Sequence, residues 1–290
     1  MSHRVVVDQT YRNQRCDLLV ALHARHSQAA VERFRARWPD RPIVLTLTGT
    51  DLYGDIHRDP QARAVLAWAT RLVVLQPLGV DELPAHLRAK VRVVYQSAVR
   101  PPNVPPPRTD VFEVCVIGHL RPVKDPFRAA WAARRLPASS RIRVLHLGAA
   151  LSDDMAAQAR AEMAVNPRYR WLGELPRWRT LRVLARARLL VHSSEMEGGA
   201  NVISEAIACG TPVLASFIPG NVGLLGPDYP GYFSVGDTEA LAALMHRAET
   251  DSAFYEALQA GVARQKPLVD PARERQSWAE LLEELLGGLR

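Results

Sequence analysis

The sequence predicts an α/β protein with two domains, each built on a parallel β-sheet. Short apolar runs typical of buried strands alternate with segments of helical periodicity along the whole chain. A chain of 290 residues is long enough for two hydrophobic cores. Five prolines within residues 100–107 are too many for a helix or a strand and predict a stiff linker. We therefore predict an N-terminal domain over residues 1–99, a linker over 100–108, a second domain over 109–271 and a final helix over 272–290.

In the first domain, apolar runs and helical patterns follow one another from the start of the sequence. The predicted strands are His3–Val7, Asp17–Leu22, Ile43–Leu47, Leu72–Leu75 and Val91–Tyr95. The predicted helices are Gln28–Trp38 and Arg63–Thr70. Since strands that alternate with helices form parallel sheets, helices should cover both faces of this sheet.

The second domain repeats the alternation after the linker. Its predicted strands are Phe112–Ile117, Ile142–Leu147, Tyr169–Leu172, Leu189–Val191, Pro212–Ala215 and Tyr232–Val235. Its predicted helices are Phe127–Arg135, Met155–Val165, Arg179–Arg186, one that begins near Ala200, Glu239–Glu249 and Ala253–Arg264. The last helix of the chain, Ala272–Leu286, carries an apolar face made of Trp278, Leu281, Leu282, Leu285 and Leu286.

Composition and charge argue against several classes of protein. The chain is 48% hydrophobic and 23% charged, as soluble globular proteins are. It has no apolar run of membrane-spanning length and no leader pattern, so we expect a cytoplasmic protein without stable membrane insertion. The net charge is +7, but the arginines are scattered, so we expect no nucleic-acid partner. The three cysteines lack metal-ligand spacing, and no metal site is predicted.

One stretch, residues 193–213, combines several signals of chemistry. It reads SSEMEGGANVISEAIACGTPV and follows the strand Leu189–Val191, so a glycine loop joins a buried strand to a helix. Glycines let a ligand approach the backbone, and the first turn of a helix offers free amides beside the positive end of the helix dipole. The stretch therefore predicts a phosphate site at the backbone of Gly198, Gly199, Ala200, Asn201 and Val202.

Two carboxylates frame this loop. Glu197 precedes the glycines and Glu205 lies within the helix, so the two cannot be neighbours on one helical face. Each carboxylate can accept two hydrogen bonds from a vicinal diol, and two such groups around a phosphate site suit the two sugars of a nucleotide sugar. The alternative is that Glu197 is an exposed loop acid and Glu205 a helix acid favoured by the dipole.

The order of residues in this stretch resembles the nucleotide-sugar motif of retaining glycosyltransferases with the GT-B fold, of the family 4 type. The resemblance implies two Rossmann-like domains that face one another across a cleft, with a UDP-sugar as substrate and neither metal nor cofactor. It implies that Glu197 holds the donor sugar and Glu205 the ribose. It also implies that the final helix crosses back to the N-terminal domain, although a plain core helix remains the alternative.

Further segments match the same family. In GHLRPVKD, residues 118–125, Lys124 falls where a lysine binds the diphosphate, whereas His119 stands where arginine is usual, so that His119 or Arg121 would have to replace it. WLGELP, residues 171–176, resembles the segment that borders the nucleobase and contains Leu175. In the first domain His23 resembles the histidine near the donor sugar, and Asp51 is a polar candidate after the next strand.

A narrower resemblance spans both domains. The strings ALHARHS, LTGTDLY, VVLQPLGVDELP, VVYQSA and GHLRPVKDP, together with residues 193–213, are similar to the selenosugar synthases of selenoneine biosynthesis. This likeness implies transfer of a hexosyl or N-acetylhexosaminyl group from a UDP-sugar to selenophosphate, a small anionic acceptor. It also implies two partner enzymes, one that produces selenophosphate and the next enzyme of the pathway. A hydroxyl acceptor and an inactive nucleotide-sugar binder remain alternatives.

The start of the chain departs from the family pattern. GT-B transferases carry a strand, a glycine-rich loop and a long helix ahead of the segment that corresponds to His3–Val7, and nothing in this sequence matches them. We therefore expect the first domain to be incomplete, and a chain with the upstream elements restored to be more stable and more active.

Overall fold

The computed structural model describes residues 3–287 and divides the chain into two units. Unit 1 takes in the described residues up to Gln96, the segment Glu197–Gly199 and the chain from Pro271 onward. Unit 2 consists of Ser97–Met196 and Ala200–Asp270. The proline-rich stretch 100–107 contains no helix or strand and lies in unit 2.

Unit 1 contains a four-stranded parallel sheet with strand order β1-β2-β3-β4. Its strands are β1 (Leu19–Leu22), β2 (Ile43–Thr46), β3 (Arg71–Val74) and β4 (Val91–Val93). Its helices are α1 (Gln28–Arg37), α2 (Ile56–Arg58), α3 (Pro60–Trp68) and α11 (Pro271–Leu286), and a π-helical turn, Asp51–Asp55, leads into α2. All four residues of β2 are buried, as expected for a central strand covered on both faces.

Unit 2 contains a six-stranded parallel sheet with strand order β10-β9-β8-β5-β6-β7. Its strands are β5 (Phe112–Ile117), β6 (Ile142–Leu147), β7 (Tyr169–Trp171), β8 (Leu189–His192), β9 (Val213–Ser216) and β10 (Tyr232–Phe233). Its helices are α4 (Arg128–Arg134), α5 (Asp153–Val165), α6 (Arg177–Arg186), α7 (Asn201–Cys209), α8 (Pro219–Leu225), α9 (Thr238–Thr250) and α10 (Ser252–Arg264).

Side-chain caps explain where several helices begin. The Ser152 hydroxyl accepts a hydrogen bond from the Met155 amide, so α5 begins at Asp153, two residues before the predicted start. Asp59 accepts from the Gln61 amide, and Pro60 occupies the first turn of α3, where its missing N–H costs nothing. The prediction placed this helix three residues later because it relied on apolar periodicity alone.

The predicted strand His3–Val7 is wrong. These residues have no regular structure, and Val5, Val6 and Val7 are 75%, 64% and 92% exposed. Their β-branched side chains favour an extended backbone, but a strand also needs a hydrogen-bonded neighbour and a face to bury. The sheet begins instead at Leu19, within the second predicted strand. Helix α8 was not predicted, because its seven residues, PGNVGLL, include two glycines and too little periodicity.

The last helix packs on the sheet of unit 1. Leu281 of α11 is 2% exposed and forms a cluster with Val44 of β2, Val73 of β3 and Val94. The Glu284 carboxylate accepts hydrogen bonds from the guanidinium groups of two other residues of the unit, Arg71 and Arg92. The hydrogen bond from Arg71 is the main reason why the pKa of Glu284 is lowered. An apolar contact and an ionic one thus hold α11 in place.

Replacing Leu281 with alanine should destabilise unit 1 by about 2–4 kcal/mol, because a buried methyl-bearing side chain is lost and a cavity remains. The free energy of unfolding can be measured by urea denaturation followed by circular dichroism. Glu283→Ala, at an exposed position of the same helix, is the matched control and should change stability little. Equal unfolding midpoints for the two variants would contradict this packing role for α11.

Candidate functional site

The sheet of unit 2 places two chain segments next to each other at its carboxyl edge. Strand β5 pairs with β6 on one side and with β8 on the other, so the strand order reverses between β5 and β8. In open parallel sheets, ligands bind outside the carboxyl ends of the strands at such a switch point. The segments that follow β5 and β8 are residues 118–125 and the stretch that begins at Ser193, the two segments that the sequence singled out.

Hydrogen bonds between these two segments fix the loop that carries Lys124. The Ser193 hydroxyl donates to the carbonyl of Asp125 at 2.9 Å, and the Glu195 amide donates to the carbonyl of Val123 at 2.9 Å. Asp125 has a left-handed backbone, with φ of 42°, and its buried carboxylate pairs with Arg128 at 2.6 Å. Because the residues on both sides of Lys124 are held by these bonds, the backbone position of Lys124 is fixed.

A cavity of about 520 Å³ opens at this edge, entirely within unit 2. Its volume falls in the range of small-molecule sites. One side is formed by the segment after β5, and the other by the residues that lead into α6 and by the first turns of α7. The lining residues are Ile117, Gly118, His119, Arg121, Lys124, Glu174, Leu175, Arg177, Thr180, Leu181, Asn201, Val202 and Glu205.

The N-terminus of α7 is an anion-binding element of this cavity. Ala200 precedes the helix without a side-chain cap, and the amides of Ile203 and Ser204 donate to its carbonyl. The amides of Asn201 and Val202 have no acceptor among residues 3–287. Two free amides at the positive end of a nine-residue helix suit a phosphate oxygen.

Glu205 lies further into α7 and is 6% exposed. One of its oxygens, Oε1, contacts Arg177 Nη1 at 2.7 Å and accepts from Asn201 Nδ2 at 3.2 Å. Burial raises the pKa of Glu205, and the charge of Arg177 partly opposes this effect. Arg177 was not identified from the sequence, because nothing in the order of residues indicates that the start of α6 meets the second turn of α7.

His119 offers a defined hydrogen-bond donor to the cavity. Its Nδ1 lies 3.1 Å from the amide nitrogen of Ala149, and since an amide can only donate, Nδ1 is the acceptor. The other ring nitrogen, Nε2, must then carry the hydrogen. His119 can therefore donate to an anion in the place where arginine was expected, and Arg121 lines the same cavity.

The other predicted residues belong to unit 1: Glu197, Gly198, Gly199, His23 and Asp51. Glu197 is half-buried. A Cβ on Gly198 would lie 2.6 Å from the carbonyl carbon of Thr48, and a Cβ on Gly199 would lie 2.7 Å from Cβ of Leu75. Close packing inside unit 1 is therefore a second reason, besides access for a ligand, why both positions need glycine.

His23 follows β1 and has a left-handed backbone, with φ of 70°, which is uncommon for a residue with a side chain. Its Nδ1 accepts from the His26 amide at 3.3 Å, so Nε2 carries the hydrogen and faces Thr50 Oγ1 at 3.0 Å. Burial is the main reason why the pKa of His23 is lowered, although the charge of Asp51 opposes this effect. His23 is thus held as a neutral imidazole with one fixed donor.

Asp51 is fully buried, and its carboxylate is occupied within unit 1. Oδ1 accepts from the amide and the hydroxyl of Thr48 at 2.7 and 2.8 Å, and Oδ2 accepts from the amide of Ala24 at 2.8 Å. These bonds tie together the chain segments that follow β1 and β2. Asp51 therefore has the geometry of a structural anchor, and its carboxylate is not exposed to a ligand.

Two further observations concern residues 3–287. No three His, Cys, Asp or Glu side chains lie close enough together to bind a metal ion. None of the helices in this part of the chain combines the length and the apolar character that crossing a bilayer requires.

Residues 102–264 match the family model described as glycosyl transferases group 1. The sequence has no significant match among functionally curated proteins.

Solved structures share the fold over nearly the whole chain. The HepE protein of Anabaena, in complex with UDP, superposes with a TM-score of 0.77 at 18% identity, over 93% of this chain and 79% of HepE. Sucrose-phosphate synthase of Thermosynechococcus elongatus gives 0.75 at 22% identity, over 94% of this chain and 74% of the synthase. The UDP-forming α,α-trehalose-phosphate synthase of Burkholderia vietnamiensis gives 0.74 at 11% identity, over 92% and 74%. The prediction of a GT-B fold with two parallel-sheet domains is confirmed.

Proposed function

Since this chain belongs to the group 1 glycosyl transferases, we propose that it transfers a hexosyl or N-acetylhexosaminyl group from a UDP-sugar to selenophosphate. One observation supports a nucleotide-sugar donor above all. A single cavity of unit 2 has a buried carboxylate, Glu205, on one side, and the free amides of α7 with Lys124, Arg121 and His119 around the rest. A carboxylate suits the hydroxyls of a ribose, and the cations and amides suit a diphosphate.

UDP is the proposed nucleotide. HepE was solved in complexes with UDP and with UDP-glucose, and the trehalose-phosphate synthase is described as UDP-forming. In the proposed arrangement Glu205 holds the ribose, Leu175 borders the base, and the amides of Asn201 and Val202 bind the diphosphate. Glu197, just ahead of α7 in the sequence, is assigned to the donor sugar, and His23 is assigned to orienting that sugar through its Nε2–H.

In the proposed reaction the selenium of selenophosphate attacks the anomeric carbon of the donor. A C–Se bond forms, the bond from that carbon to the diphosphate oxygen breaks, and UDP leaves with the electron pair. Water then cleaves the Se–P bond and releases phosphate, which leaves a selenosugar. The preorganised cations and helix amides stabilise the charge that develops on the departing diphosphate.

The choice of selenophosphate rests on the sequence strings that resemble selenosugar synthases and on the positive charge at residues 119–124. A hydroxyl acceptor is the second candidate, and a specific observation favours it. Arg25, beside His23, lies 3.6 Å from Asp55 and 4.0 Å from Asp59, so its charge is offset within unit 1 and is less available to an anionic acceptor.

The proposal is tested by measuring UDP release from UDP-glucose and from UDP-N-acetylglucosamine in the presence of selenophosphate. Inorganic phosphate and a panel of hydroxyl acceptors serve as comparison acceptors, and Glu205→Ala as the inactive control. Release that depends on selenophosphate and disappears in the control supports the proposal. Release with a hydroxyl acceptor only would identify the second candidate, and calorimetric UDP-sugar binding without turnover would identify an inactive binder.

Lys124→Met should lower kcat about tenfold or more with a smaller change in KM for the donor, because the lysine acts mainly on the charge that grows in the transition state. Steady-state UDP release measures both constants. Lys266→Met removes an exposed lysine elsewhere in unit 2 and should leave both unchanged. A change in KM alone would assign Lys124 to ground-state binding.

A further inference from the structure

Helix α6 borders two separate cavities of unit 2. Arg177, Thr180 and Leu181 line the proposed donor cavity. Residues on the other faces of the helix line a second cavity, of about 410 Å³, together with Pro105, one residue of β6 and the residue that follows β7. Within residues 3–287, Leu175, just ahead of the helix, is the one residue that lines both cavities. The second cavity takes no part in the function proposed above.

The second cavity combines an apolar lining with an exposed aromatic side chain. Leu145, Leu172 and Val183 contribute aliphatic surface. Trp178 also lines the cavity and is 65% exposed. By volume it is the largest exposed hydrophobic side chain in the described part of the chain. An indole that remains open to solvent beside an aliphatic wall can cover a flat apolar ligand.

Three arginines of α6 line the same cavity, and their charges are not compensated equally. Arg186 Nη2 lies 3.0 Å from both carboxylate oxygens of Glu113, which is buried, so this charge is paired. The guanidinium groups of Arg179 and Arg182 have no acidic partner among residues 3–287. The cavity therefore has a surplus of positive charge beside its apolar surface.

We propose that this cavity is a binding site for a small organic anion with an apolar body, such as a carboxylate, sulfonate or phosphate attached to a ring system. The volume is that of a small-molecule site. Two uncompensated guanidinium groups complement a negatively charged head, and each can bind it in a bidentate fashion. The aliphatic wall and Trp178 complement the apolar body. A purely apolar ligand would leave the two guanidinium charges without a counter-ion. Inorganic phosphate would leave the aliphatic lining of the cavity exposed to water.

The test uses anilinonaphthalene sulfonate, an anion on a planar aromatic body, as the probe. The full chain is titrated with this probe in the presence of saturating UDP, and the increase in probe fluorescence is recorded. The expected result is saturable binding at one site per chain. Arg182→Gln and Arg179→Gln should each weaken this binding about fivefold or more, because one charge-assisted contact is lost.

Arg160→Gln is the matched control, since it removes an exposed arginine from α5 in the same unit. It should leave the affinity for the probe unchanged. Thermal unfolding of every variant shows whether it is folded, and Trp178→Ala provides a second route, with an expected loss of affinity that does not depend on charge.

Three outcomes would overturn the proposal. The first is binding that does not saturate or that is equally strong in the arginine variants and the wild type. The second is probe binding that is seen without UDP and is lost when UDP is saturating, which would place the probe in the proposed donor cavity. The third is self-association through this face, seen in size-exclusion chromatography as a concentration-dependent dimer that Arg182→Gln abolishes. Failure of the glycosyl-transfer assay would leave this titration unaffected, because it measures binding at a different cavity.

Discussion

Replacing Gly148 with alanine is expected to destabilise unit 2 by about 3–5 kcal/mol, since steric overlap and backbone strain combine at one position. Gly148 follows β6 and has a φ of 151°, a conformation that residues with side chains rarely adopt. A Cβ there would lie 2.0 Å from the carbonyl oxygen of Gly118 and 2.9 Å from the amide nitrogen of His119. Both are backbone atoms, so no side chain can rotate away to make room.

The backbone that would have to move also forms part of the wall of the proposed donor cavity. The carbonyl of Gly118 accepts a hydrogen bond from Nε2 of the buried His146 at 3.2 Å, and burial lowers the pKa of His146 to about 4. His146 therefore stays neutral at physiological pH and holds this carbonyl in place. We expect Gly148→Ala to weaken UDP binding as well as to lower the temperature of unfolding.

Gly118→Ala is the matched control for stability, because a Cβ at Gly118 would meet no atom within 4 Å. Thermal unfolding followed by circular dichroism compares the two alanine variants, and isothermal calorimetry measures UDP binding. A Gly148→Ala variant that melts within a degree or two of the Gly118→Ala variant would show that the loop relaxes freely, contrary to the expectation.

Glu205→Gln is expected to weaken UDP binding about a hundredfold. A carboxylate that accepts hydrogen bonds from both ribose hydroxyls makes two charge-assisted contacts, each worth about 1.5–3 kcal/mol, and an amide can accept only at its single oxygen. Calorimetry with UDP measures the loss. Glu256→Gln, at an exposed site on α10, is the control and should bind UDP normally. An affinity within threefold of the wild type would remove Glu205 from the donor site.

The same carboxylate predicts how UDP binding depends on pH. Burial raises the pKa of Glu205 above its ordinary value of 4.5, and only the ionised form accepts from both hydroxyls. UDP affinity should therefore rise as the pH increases through this raised pKa. The free energy of unfolding has the opposite sign: the folded state binds the proton more tightly than the unfolded state, so the contribution of Glu205 to stability is lost over the same interval. Because the charge of Arg177 lowers the pKa of Glu205, Arg177→Gln should move the pH dependence of UDP affinity and that of stability to higher pH.

The central elements of the fold were predictable because their signals are local. Strands β5 and β6 agree with the predicted bounds, since each is rich in apolar residues and lies in the interior of a sheet. The valines at residues 5–7 give a similar local signal, but no strand among residues 3–287 lies beside them, and the sequence alone does not show whether such a neighbour exists.

The residues of the candidate site also fall into two groups: those that local sequence signals identify and those that only the folded structure reveals. Lys124, Asn201 and Glu205 lie within motifs with fixed spacing, so the sequence identifies them as residues that could line one cavity. The contact of Arg177 with Glu205 and the amide of Ala149 that orients His119 depend on which chain segments fold together. Asp51 shows the converse case, because a polar residue at the end of a strand can serve as an internal anchor as well as a ligand, and only its burial distinguishes the two.

The position of α11 has a consequence for how the protein is made. All residues of unit 2 precede α11 in the sequence, whereas unit 1 includes α11, the helix that covers Val44 and Val73. The ion pair between Arg71 and Glu284 closes a separation of 213 residues. Domains commonly fold in the order in which they leave the ribosome, but here the strands of unit 1 must wait for α11. The apolar surface that Val44 and Val73 present to α11 is therefore covered only after α11 has been synthesised.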